Sequence, residues 1–149
     1  MAYAKLLHLL SVLIWVGGMF FAYMILRPAA VEVLEPPPRL RLWVNVFSRF
    51  FPWVWGSVAV IVLTGFYMIS LFGGMGSSPL YVHLMLGLGT LMLLIYSYVF
   101  FACYRPLRAL VAEQRWPDAG AMLGKIRQLV GLNLALGVAL IVMVFAMRG

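Results

Sequence analysis

Two side chains in this sequence can bind a transition metal through an imidazole nitrogen, His8 and His83. Each lies a few residues inside a long apolar run. His8 belongs to KLLHLLSVLIWVGGMFFAYMILR, from Lys5 to Arg27, and His83 to LYVHLMLGLGTLMLLIYSYVFF, which starts at Leu80. Placing an ionisable group in hydrocarbon is costly, so such a residue points to function by default. Anchoring at the membrane interface is the plainer alternative.

The surrounding sequence sets where these groups stand. The chain has 149 residues, 65% hydrophobic and 10% charged, with a mean hydropathy of +1.04. So apolar a composition does not fit a soluble domain of this size. Four runs are long enough to cross about 30 Å of hydrocarbon as helices. They cover about residues 3–26, 54–72, 80–104 and 129–147. The expected fold is all-α: a single domain over 1–149, a polytopic four-helix membrane bundle with short interfacial helices in its cytoplasmic loops.

Charge sets the expected topology. Loops one and three with their flanks carry Arg27, Arg39, Arg41 and Arg49, then Arg105, Arg108, Arg115, Lys125 and Arg127. The other side carries Lys5 and Arg148. The positive-inside rule then puts the basic loops in the cytoplasm of a bacterial inner membrane and both termini outside. The net charge of +7 is read as attraction to anionic lipid rather than to nucleic acid. Pro36–Pro38 ends any helix from the first run, and Leu40, Trp43, Val44 and Phe47 then suggest an interfacial helix. A turn is expected at Trp116–Pro117, with Asp118 capping the last helix. The lone Cys103 excludes an intrachain disulfide.

On this topology both histidines sit about 6–8 Å below the outer boundary. Each begins a stripe spaced three and four residues apart: His8, Ser11, Trp15, Gly18, Ala22 on the first helix, and His83, Gly87, Thr90, Leu94, Ser97 on the third. Such stripes form one helix face, and small and polar residues usually turn inward in membranes. Two imidazoles at one depth suit a haem b, with His8 and His83 as axial ligands and Gly87 leaving room for the macrocycle. Lys5, Tyr81 and Arg148 are the expected propionate contacts. That arrangement favours electron transfer, with a quinone or another redox partner. Trp15 needs a partner for its indole N–H, with Thr64 or Thr90 in reach.

Copper is the other metal to weigh. Met68, Met75 and Met85 lie near the histidine level, and thioether with imidazole suits Cu(I). Methionine also serves as filler in apolar helices. The four carboxylates, Glu32, Glu35, Glu113 and Asp118, all fall in the basic loops. No acid–base pair therefore stands beside His8, which argues against hydrolysis.

The stretch HLLSVLIWVGG, with His8, Trp15 and Gly17–Gly18, resembles the first helix of the copper-resistance D-like (CopD-like) membrane family. It is also similar to the distantly related HemJ-type membrane protoporphyrinogen oxidase. The order of elements agrees over nearly the whole chain. The oxidase-like resemblance implies a haem b held by the first-helix histidine, which His8 matches, and a lysine on the third helix. Here that helix has no lysine, and His83 occupies the neighbourhood, so porphyrinogen oxidation is the weaker implication and haem binding the stronger. The copper-resistance resemblance implies copper transport or tolerance, although longer members carry additional spans. A homo-oligomer built on the small-residue face of the last helix (Gly124, Gly131, Ala135, Ala139) stays open.

Overall fold

The computed structural model describes residues 2–148, with the side chain of Arg148 outside the described set. Four of its helices are long and apolar enough to cross a membrane: Ala2–Val33, Pro36–Leu71, Leu80–Ala112 and Trp116–Met147. The protein is thus an all-helical, multi-pass membrane protein, as the hydropathy pattern predicts. Each helix exceeds 30 residues, or roughly 48 Å at 1.5 Å per residue, so each projects beyond the hydrocarbon layer.

That projection changes the reading of the first loop. The expected interfacial helix is the N-terminal half of the second helix, which runs unbroken from Pro36 to Leu71. Proline is harmless in a first turn, where its missing N–H has no acceptor to meet. The Pro36–Pro38 triplet therefore starts this helix, behind an extended Glu35. Leu40, Trp43 and Phe47 are buried in the bundle instead of lying on a lipid surface. The fourth helix likewise starts at Trp116, after Gln114 turns the chain with a φ of 58°. Asp118 does not cap it; its carboxylate accepts from Arg115 Nη2 at 2.6 Å.

The first and third helices share a local feature. Each widens into a π-helical turn, Phe21–Leu26 in one and Val99–Tyr104 in the other. Each turn is followed at once by Arg-Pro, at Arg27–Pro28 and Arg105–Pro106. A wider turn absorbs the proline ring and its missing donor without ending the helix. At the opposite end the hairpin between the second and third helices is short. Gly73 and Gly74 take φ of 92° and 104° there, values that side-chain-bearing residues rarely adopt.

The first helix packs on the second and fourth, and the third on the fourth. The first and third are therefore diagonal, meeting at mid-bundle where Trp15 lies edge-on to Tyr96 at 6.1 Å. Gly18 lets the first two helices close up, because a β-carbon there would collide with the Phe50 ring. Around Tyr96 an aromatic core continues through Phe51, Phe47 and Tyr104, with Phe47 and Phe51 stacked at 4.9 Å. Such pairs add to stability beyond the area they bury. The Tyr96 hydroxyl donates to the carbonyl of Phe51 at 3.3 Å.

Candidate metal site

His8 stands six residues after the first helix begins, and Thr64 seven residues before the second helix ends. The two helices are antiparallel neighbours, so these positions fall at about the same depth, roughly 10 Å from the shared end. The sequence puts small residues at the contact: Gly65 lies so near that a β-carbon there would touch His8 Cε1 at 3.8 Å. His8 is accordingly half-buried against the second helix.

His8 Nδ1 lies 2.8 Å from Thr64 Oγ1, and the threonine fixes which partner donates. Its hydroxyl hydrogen is directed to the carbonyl of Val60 at 2.6 Å. The hydroxyl has one hydrogen and two lone pairs, so its oxygen accepts and Nδ1–H donates. The neutral imidazole then carries its free lone pair on Nε2. Metal-bound histidines show this arrangement, the second ring nitrogen held by an outer partner that sets tautomer and orientation. Met68 follows Thr64 by one turn, half-buried on the same face, with β-carbons about 5–6 Å apart. A flexible thioether thus stands one turn along the second helix from the residue that holds the imidazole.

The other expected residues divide between the interior and the surface. Ser11 and Trp15 are buried, along the face that His8 begins. Trp15 packs on Tyr96, and Thr64 is engaged with His8 rather than with the indole. Gly18 serves the Phe50 contact described above. The third-helix stripe, by contrast, faces outward: His83, Gly87, Thr90 and Leu94 are all exposed. The inward face of that helix is Val82, Met92, Tyr96, Val99 and Cys103. Apolar and aromatic residues fill this interior, so the small and polar stripe is left to the outside, opposite to the expectation from residue size. His83 is thus exposed, whereas His8 is half-buried against the second helix. Lys5 is exposed and Tyr81 half-buried, while the side chain expected of Arg148 lies outside the described residues.

Sequence reasoning offered Thr64 to the Trp15 indole and set Met68 near the histidine level, without pairing Thr64 with His8. The available signal was the antiparallel register, which sets His8 and Thr64 at equal depth. Among the described residues no group of three or more His, Cys, Asp or Glu side chains converges. A closed site of the structural zinc type is thus not formed by those residues. A soft site must draw on thioethers.

Comparison with known proteins gives a family match. The family described as CopD, copper resistance protein D, aligns with residues 44–147, from inside the second helix to the end of the fourth. The aligned region includes Thr64, Met68 and His83 and begins after His8. No curated protein and no solved structure matches the chain.

Proposed function

The chain belongs to the CopD family of copper resistance proteins, and from that membership we propose that it binds and moves monovalent copper at the end of the bundle that carries His8. The observation that carries this reading is the pinned imidazole: Nδ1–H is committed to Thr64 at 2.8 Å, and Nε2 is left as a donor, with Met68 one turn along the second helix from Thr64. Imidazole with thioether is a soft ligand pair that selects Cu(I) over harder cations. Thr64 orients the ring, His8 supplies nitrogen, and Met68, whose side chain rotates freely, can take up or release the ion without a backbone movement. In this reading the basic loops lie in the cytoplasm of a bacterial inner membrane, by the positive-inside rule, and His8 faces the outer side.

Haem binding has less support, because this packing offers His8 as an inward ligand and turns His83 outward. Both readings are tested in one experiment. The protein is purified in detergent under reducing conditions and titrated with Cu(I) against a chromogenic chelator, while its absorption spectrum is recorded. We expect about one Cu(I) bound per chain, weakened in His8→Ala by more than the roughly 10–100-fold that loss of an outer partner costs, and also reduced in Met68→Leu. Wild-type protein that leaves all Cu(I) with the chelator, or His8→Ala binding as tightly as wild type, would sink the copper assignment. A porphyrin absorbance that copurifies with the chain and is lost in His8→Ala would replace it with haem.

A further inference from the structure

At the basic end of the bundle, about 220 Å³ of space lies between the first, second and fourth helices. Its rim and floor differ in chemistry. Arg27, Arg39 and Arg127 stand around it, one from each helix, while its floor includes Leu40, Trp43 and Ile126, all buried. No carboxylate lines it. Among the described residues the only ion pairs join Arg115 to Glu113 and Asp118, so the three guanidiniums around the cleft are uncompensated.

Two of these arginines are held in place. Arg27 donates through Nε to the carbonyl of Tyr23 at 3.2 Å, with its guanidinium 4.7 Å from the Tyr23 ring centre. Arg39 donates through Nε and Nη2 to the carbonyl of Leu34 at 3.3 and 3.1 Å. Each keeps further N–H donors free, since a guanidinium has five. Three like charges at one apolar cleft repel one another unless an anion joins them. The ligand that fits is therefore anionic at one end and apolar at the other.

We propose that this cleft is a binding site for one anionic phospholipid. Its phosphodiester is held by Arg27, Arg39 and Arg127, and its first acyl segments lie over Leu40, Trp43 and Ile126. The guanidinium fork matches phosphate oxygens. Basic pockets between membrane helices, at headgroup depth, are where such lipids bind. Tyr23, Trp43 and Trp116 also belong to the lining, aromatic residues of the kind that mark that depth. Room for the acyl chain comes from Gly120 and Gly124, where an added β-carbon would meet nothing within 4 Å. The site is more specific than the general attraction of basic flanks, because it needs the three arginines and the open cleft together.

The test is native mass spectrometry of the full chain released from mixed vesicles of phosphatidylglycerol and phosphatidylcholine. Wild type is expected to retain one phosphatidylglycerol in preference to phosphatidylcholine. Arg27→Gln, Arg39→Gln and Arg127→Gln should each lower that retention about fivefold, the effect of one basic residue near an anionic surface. Gly124→Leu should lower it with every charge intact, by filling the cleft. Arg108→Gln, whose side chain lies over the Tyr104 ring, should leave it unchanged. Circular dichroism of each variant checks folding, and the wild-type comparison of the two lipids needs no variant. Equal retention of both lipids, or an equal loss in Arg108→Gln, overturns the proposal. Displacement of the lipid by millimolar inorganic phosphate also overturns it, in favour of a free-phosphate site.

Discussion

His8 Nδ1 and Thr64 Oγ1 are 2.8 Å apart, and because the threonine hydrogen already goes to Val60, the contact fixes the histidine tautomer. A residue of the second helix thus sets which nitrogen of the first helix is available to a metal. Thr64→Val should lower Cu(I) affinity about 10–100-fold, the usual cost of losing an outer partner of a metal-binding histidine. Thr64→Ser keeps the oxygen and should restore affinity to within about threefold of wild type. Chelator competition on the three proteins reads both effects. A valine variant that binds Cu(I) as tightly as wild type while serine is weakened would show that the threonine methyl matters and not the hydrogen bond.

The same geometry gives a pH dependence with a defined sign. In the proposed site Cu(I) takes the Nε2 lone pair, and a proton competes for that atom. Affinity should therefore fall as pH falls, by up to about tenfold per pH unit where His8 is mostly protonated in the metal-free protein. In His8→Ala this dependence should vanish along with the affinity. Residual binding in His8→Ala with an unchanged pH slope would assign the competing proton to another group.

How much of this was legible in the sequence differs between the bundle and the site. The four spans follow from length and hydropathy alone, since about 20 apolar residues have few other uses. The second helix was misjudged because Pro36–Pro38 reads as a break, whereas in a first turn it is a start. His8 was legible as an ionisable group inside a span. Its partner was not, because stripes of small and polar residues leave each helix free to rotate. On the third helix the aromatic packing of Tyr96 against Phe51, Trp55 and Trp15 decides that rotation. It turns Met92 and Val99 inward and leaves Gly87 and Thr90 outside. Residue size alone gave the opposite face.

Gly18 and Gly17 are adjacent in sequence and should respond differently to substitution. A β-carbon at Gly18 meets the Phe50 ring, while at Gly17 it approaches only Leu13 of its own helix, at 4.0 Å. Gly18→Ala should destabilise the bundle by about 1–3 kcal/mol, the range for overpacking a close contact. Gly17→Ala should be neutral or slightly stabilising, since alanine is the better helix former. Thermal unfolding in one detergent compares them. Equal effects would mean that the first two helices are not in contact at Gly18.

Asn133 is 3% exposed near the middle of the bundle. Its Nδ2 donates to the carbonyl of Met92 at 3.0 Å, tying the fourth helix to the third. Asn133→Leu removes this bond and should cost about 0.6–2 kcal/mol, as interhelical hydrogen bonds in membranes do. Asn133→Asp should cost more, because it loses the donor and introduces a carboxyl group into an apolar interior. Unfolding measured at neutral pH checks the order. A leucine variant more stable than wild type would show that packing outweighs the bond.

His83 separates the two metal readings most sharply. It is exposed on the outward face of a helix diagonal to the one that carries His8. A copper site built from His8, Met68 and the Thr64 hydroxyl does not need it. His83→Ala should therefore bind Cu(I) within about twofold of wild type and unfold at the same temperature, since exposed substitutions away from contacts change stability by at most about 0.5 kcal/mol. A haem held by both histidines requires the reverse: loss of either imidazole converts a six-coordinate iron to five-coordinate and changes its spectrum. Equal loss of bound metal in His8→Ala and His83→Ala would mean that the third helix turns its histidine inward, or that two chains share the site. Comparing the variants as monomers and as any dimer that forms distinguishes those two arrangements, because only a shared site is rebuilt by mixing the two single variants.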